Sequence, residues 1–144
     1  MEYFVIILVV VFFIGSVSFI IPSKKTRQLA QLRLDAAKLG FKISSLTYSN
    51  ISFKSSDLNL ASYQIKNTSI IKEAHFYRDK DQFILYSPSR LKYSSDYEVT
   101  LEKLKKLPES IIEIIFSNAV IVFLWDENLG IEELERINSN LKIL

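Results

Sequence analysis

Hydrophobic and polar positions along this 144-residue chain fall into three successive patterns. The first is a run from Tyr3 to Ile21 without a single charge, closed at once by Pro22-Ser23-Lys24-Lys25-Thr26-Arg27. At about 1.5 Å per residue it reaches roughly 28 Å, close to the hydrocarbon thickness of a bilayer, and so predicts a transmembrane anchor over residues 1-21. An uncleaved anchor is favoured over a secretory signal. The only charge ahead of the run is Glu2, and Ser16-Val17-Ser18 is a poor cleavage site with Phe19-Ile20-Ile21 still to come.

In the second pattern Leu29, Leu32, Ala36 and Leu39 recur at the three- and four-residue spacing of one helix face, and Gly40 suits a left-handed helix end. Residues 22-40 are therefore expected to form a basic amphipathic helix next to the anchor. Pro22 predicts a kink or break between the two helices, and Ser23 is a candidate cap for the second.

After Gly40 the period becomes two. Phe41 and Ile43 alternate with Lys42 and Ser44, and Leu46-Thr47-Tyr48 extends the strand-like run. Residues 49-58 allow either a short strand or an ordered loop. Residues 60-65 alternate moderately, and residues 74-78 and 82-87 flank Asp79-Lys80-Asp81, a polar tip suited to a hairpin. Val99, Leu101, Leu104 and Leu107 favour a short helix from about Tyr97 to Lys106, stopped by Pro108. Residues 111-116 and 120-125 are the strongest β runs and should form the central hairpin. The unbroken hydrophobicity of the second arm implies that both its faces are covered. Ile131, Leu134, Ile137 or Asn138, and Leu141 line one face of a final helix, with Glu132, Glu133 and Glu135 in its first turns and Asp126 or Asn128 as cap. The expected fold class is α+β: one N-terminal transmembrane helix, then a single domain over residues 41-144 with an antiparallel sheet and two or three short helices.

Charge adds orientation. No lysine or arginine precedes the apolar run, whereas Lys24, Lys25, Arg27, Arg33, Lys38 and Lys42 follow it against the lone Asp35. The asymmetry predicts a periplasmic N-terminus and a cytoplasmic C-terminal domain in the bacterial inner membrane. Lys24, Lys25, Arg27 and Arg33 are the candidate membrane-surface contacts, facing the bilayer and its anionic headgroups. A net charge of +2 is too small to imply nucleic acid, and the aromatic residues fall at strand spacing, where core packing accounts for them better than base stacking.

Candidate chemistry is sparse. Without cysteine there is no disulfide, thiolate nucleophile or cysteine-based zinc site, and three glycines cannot build a P-loop or dinucleotide fingerprint. His75, the only histidine, lies in a predicted strand and is expected to be packed or hydrogen-bonded. Asp79 with Asp81, and Glu133 with Glu135, read as solvated surface. Asn50-Ile51-Ser52 and Asn67-Thr68-Ser69 match the glycosylation acceptor pattern by chance. No cofactor is expected.

The order of anchor, proline and basic helix Lys24 to Leu34 ending at Lys38-Leu39-Gly40, then strands and Trp125-Asp126-Glu127 before a helix, resembles a family of single-pass proteobacterial inner-membrane proteins. The start is also similar to YajC-type accessory subunits of the preprotein translocase, which pair one anchor with a small β-rich domain. These resemblances and the missing catalytic groups imply a non-enzymatic, membrane-tethered interaction or assembly module, an accessory subunit of an inner-membrane complex. Its expected partners are the lipid bilayer and another membrane protein or complex. The alternative is a membrane-bound hydrolase or transferase with an unrecognised Asp/Glu/Ser site.

Overall fold

The computed structural model describes residues 2–20, 22–44 and 60–144. In chain order they form α1 (Glu2–Ile20), α2 (Lys24–Lys38), β1 (Lys42–Ile43), β2 (Leu60–Lys66), β3 (Ala74–Asp79), β4 (Gln82–Ser87), α3 (Tyr97–Lys105), β5 (Ile111–Phe116), β6 (Val120–Asp126) and α4 (Gly130–Leu141). Single turns of 3-10 helix, Ser89–Tyr93 and Glu127–Leu129, follow β4 and β6. The chain divides into two compact units, Met1–Gln31 and Leu32–Leu144, with the division inside α2.

In the first unit, α1 has apolar side chains on every side. Tyr3 to Ile14 and Val17 are all exposed, from 45% at Val9 to 82% at Tyr3. Ser16 donates its hydroxyl back to the Phe13 carbonyl at 2.9 Å, so even this polar side chain is satisfied within the helix. Among the described residues, however, no helix is long and apolar enough to cross a membrane. The transmembrane anchor, the single-pass topology and the inner-membrane placement with a periplasmic N-terminus and cytoplasmic domain are accordingly corrected. Ser23 does cap α2: its Oγ accepts the Thr26 amide at 3.2 Å, and its carbonyl receives the Arg27 amide at 3.1 Å.

In the second unit, the remainder of α2 buries Leu32 and Ala36. Gly40, at φ 92°, ends the helix in the left-handed region. The Phe41 amide then reaches the Ala36 carbonyl at 3.0 Å and the Gly40 amide the Ala37 carbonyl at 3.1 Å, the paired bonds that satisfy a helix's last carbonyls. Phe41 is thereby set edge-on against Phe123, ring centroids 5.6 Å apart.

Six antiparallel strands form one sheet in the order β1-β2-β6-β5-β3-β4. The β5/β6 hairpin lies at its centre, and β3/β4 turns through Lys80 at φ 54°. Opposed residues in an antiparallel pair share a face, so the register places Tyr63, Phe123, Ile114 and Phe76 in one row across four strands. All four are buried to within 1% exposure. Leu104, Leu107, Leu134, Ile137 and Leu141, from α3, its exit and α4, supply the helical part of the core. On the reverse face of β6, Val122 is buried but Val120 and Leu124 are half-buried, so the unbroken apolar run does not reflect equal cover on both sides. The expected strand over Leu46-Thr47-Tyr48, and the choice between strand and loop for 49-58, lie outside the described residues.

Candidate functional site

The expected surface cations separate into two groups. Lys24, Lys25 and Arg27 occupy the first turn of α2 and are exposed, with no acidic residue in that turn. Arg33, by contrast, is drawn into a cluster of the second unit. Its Nε donates to Glu127 Oε1 at 3.0 Å and its Nη2 to Oε2 at 2.9 Å, a bidentate fork. Tyr63 adds its hydroxyl to Oε1 at 2.8 Å. Glu127 is held there by the 3-10 turn after β6, which starts when Asp126 Oδ1 accepts the Asn128 amide at 2.9 Å. Asp126 therefore caps this turn rather than α4.

Burial disfavours the charged form of Glu127, but the hydrogen bonds from Arg33 and Tyr63 and the Arg33 charge outweigh it and hold the carboxyl below its ordinary range. Its carboxylate in turn raises the Arg33 guanidinium. Burial, reinforced by the neighbouring carboxylate, pushes the Tyr63 phenol upward. The cluster is thus a fixed ion pair with a phenol that stays protonated at neutral pH, a structural clamp on residues 32–38 rather than a proton-transfer site.

The other polar pair lies on the reverse face of the sheet. His75 Nε2 is 2.5 Å from Glu113 Oε1, and their side chains are 14% and 9% exposed. Tyr86 packs its ring on the His75 imidazole, centroids 4.9 Å apart, while remaining 62% exposed. Two irregularities in the ladder build this group. Between Ile111 and Glu113 the β5 register slips, so that Ile111 opposes Trp125 and Glu113 opposes Leu124. That extra residue turns Glu113 away from the face where Ile111 is buried and onto the face of His75. A second slip, between His75 and Phe76, leaves Tyr86 as the residue without an opposite number.

Strict alternation from Ile111 assigns Glu113 to the core, which is why sequence reasoning missed it as the partner of His75. The available signal was a lone carboxylate inside an otherwise apolar β run. Chemically the carboxylate orients the imidazole, but among the described residues no serine or threonine hydroxyl hydrogen-bonds either group. Nor do three or more His, Asp or Glu side chains gather anywhere among the described residues in a way that could hold a metal ion.

The remaining candidates are structural. Asn67 is 8% exposed, and its amide donates to the Ile71 and Ser117 carbonyls at 2.8 and 2.6 Å, so it ties the β2 exit to the β5/β6 turn instead of presenting a modification site. Glu133 accepts the Ser110 hydroxyl at 2.6 Å and is paired with Arg136 at 3.6 Å, which separates it in role from Glu135. Asp79 ends β3 at the hairpin tip and Asp81 follows Lys80 in the turn, both exposed. No protein-family model, curated protein or solved structure matches the chain.

Proposed function

We propose that this protein is a non-enzymatic interaction or assembly module, an accessory component that joins a larger complex through α1. The observation that carries this reading is the uniformly apolar, exposed surface of that helix. An isolated helix that is hydrophobic all round has no polar face to offer water, and contiguous apolar surface of this extent marks an interaction site. The folded second unit supports the same reading. Its most buried charges, Glu127 and Glu113, are each taken up by a partner within the domain, and neither is joined to a nucleophile.

Affinity isolation of the tagged full chain from gently solubilised cells tests the proposal against a variant carrying Val9→Glu and Phe13→Glu. The intact chain should migrate in a defined complex and the variant should be lost from it while its second unit stays folded. Identical complexes from both chains would remove α1 from the assembly role. His75→Ala, in the same assay, should leave assembly unchanged; a folded His75→Ala protein without its cellular role would move the enzymatic alternative ahead.

A further inference from the structure

We infer that β4, the outer strand of the sheet, pairs antiparallel with β4 of a second copy of this chain, about a two-fold axis at Ile84. The inference does not involve α1 and goes beyond the assembly reading above. β4 closes one edge of the sheet, with β3 on its inner side and, among the described residues, no strand beyond it. The ladder decides which of its backbone groups point outward. Asp79 and Gln82 close the hairpin turn and form a hydrogen-bonded pair, so Gln82 and Ile84 bond inward to β3 while Phe83 and Leu85 turn their N–H and C=O groups to the outer edge. The neighbouring hairpin gives the same phase. The Ser117 amide bonds the Val120 carbonyl at 2.9 Å, and alternation from there through Ile115↔Val122 and Phe76↔Ile114 again leaves Tyr77 and Asp79 to bond β4. Among the described residues nothing hydrogen-bonds the outward groups of Phe83 or Leu85.

Unpaired edge groups template another strand, and an edge is ordinarily guarded by charge, proline or added twist. Gln82-Phe83-Ile84-Leu85-Tyr86-Ser87 contains neither charge nor proline. The bulge at Tyr86 restricts regular pairing to the part of β4 before it, and that part is self-complementary. With two copies antiparallel about Ile84, Phe83 of each opposes Leu85 of the other, and their outward groups satisfy one another. Opposed residues share a face. Ile84, half-buried in one copy, therefore meets Ile84 on the reverse face, and Phe83 meets Leu85 on the covered face. Asp81 falls opposite Ser87, so no like charges confront each other. Exposed apolar side chains border the same edge: Tyr86 is 62% exposed, and Tyr93 and Val99, on the 3-10 turn and helix beside β4, are 90% and 54% exposed. A foreign strand would have to supply this match, whereas a second copy carries it in its own sequence.

The test uses the absence of cysteine from the chain. In this pairing Ile84 faces its own copy in a pair without hydrogen bonds, Cα atoms about 4.5 Å apart and within disulfide reach, whereas Gln82 lies roughly 13 Å from its own copy. The full chain with Ile84→Cys, in mild detergent with a mild oxidant, should form a disulfide-linked dimer, while Gln82→Cys and the exposed loop control Ile70→Cys should not. Light scattering of the native full chain should read a doubled mass, and Ile84→Lys, which sets like charges face to face on the axis, should return it to monomer. Crosslinking of Ile84→Cys no faster than that of Ile70→Cys, or a dimer that survives Ile84→Lys, would overturn the pairing. Adding Val9→Glu and Phe13→Glu should leave the Ile84→Cys crosslink intact. Its loss there, with the second unit folded, would assign self-association to α1 and overturn the β4 inference.

Discussion

The two faces of the sheet draw on the same strands yet solve opposite problems. On one face Tyr63, Phe76, Ile114, Phe123 and Trp125 are all within 1% of complete burial. The Trp125 indole N–H is buried on this side without a hydrogen-bond partner, whereas the one cation that reaches it among the described residues is fully engaged. Arg78 lays its guanidinium 4.2 Å from the Phe83 ring centroid and donates to the Ile111, Leu107 and Pro108 carbonyls, at 2.8, 3.2 and 2.9 Å. Partial burial lowers its pKa from the ordinary arginine value, and those carbonyls compensate the half-buried cation. On the reverse face Val122 is buried, Ile84, Ile115 and Leu124 are half-buried, and Tyr86 is exposed around the His75–Glu113 pair. The difference teaches that even the more open face buries a charge: Glu113 is 7% exposed and is taken up by the His75 imidazole, while the half-buried Arg78 spreads its donors over three carbonyls.

The largest effect should come from the covered side. Leu134, on α4, is completely buried, and Leu134→Ala should cost about 2–5 kcal/mol through lost burial and a residual cavity, a large share of a small domain's stability. Chemical denaturation of the full chain measures it. An unchanged midpoint would mean that α4 does not close this core.

How far the sequence foretold this arrangement depends on the range of the interaction. Alternation and helical spacing located the β3/β4 and β5/β6 hairpins, α3 and α4, because each depends on side chains a few residues apart. Sheet order was not legible: β2 pairs with β6 along its whole length, from Leu60↔Asp126 to Lys66↔Val120, across a long interval that no local period encodes. The same holds for Arg33 with Glu127, 94 residues apart, and His75 with Glu113, 38 apart. Arg33 looked like one more cation of a basic helix because its composition is that of its neighbours; only the fold brings a buried carboxylate to it. The apolar run Tyr3–Ile21 was legible as apolar, but composition alone does not state what surrounds a helix.

The next effect belongs to the Arg33–Glu127–Tyr63 cluster at the end of β6. Arg33→Ala leaves a nearly buried carboxylate with the Tyr63 hydroxyl alone. The arginine is itself 46% exposed, so the expected cost is about 1–3 kcal/mol, below that of a fully buried pair. The acid dependence has a definite sign. Glu127 binds its proton less readily folded than unfolded, so its contribution is fully present above the ordinary carboxylate pKa and is lost as pH falls through the depressed folded value. Stability measured from neutral pH into that acid range should decline more steeply in the native protein than in Glu127→Gln. Parallel declines would mean that the cluster contributes no pH-dependent stability.

A smaller loss is expected from His75→Ala. Glu113, whose side chain is 9% exposed, then loses its imidazole partner, and the cost should be about 1–2 kcal/mol. Removing the carboxylate as well, in a His75→Ala/Glu113→Ala pair, should cost less than the sum of the two single changes, because neither group is then left without its partner. Strict additivity in this cycle would show that the 2.5 Å contact carries no coupling.

The smallest effect is the most direct measure of the contrast between the faces. Leu124 is the same residue type as Leu134 and lies on β6, one position before Trp125, which is completely buried. Its side chain points to the opposite side of the sheet and is only half-buried. Truncation to alanine there removes apolar area already partly in water and opens no closed cavity, so Leu124→Ala should cost about 1 kcal/mol or less. Denaturant midpoints of Leu124→Ala and Leu134→Ala, measured on the same full chain, isolate the environment because the chemical change is identical. A Leu124→Ala cost equal to that of Leu134→Ala would mean that both faces are packed alike in solution, and the contrast between them would be lost.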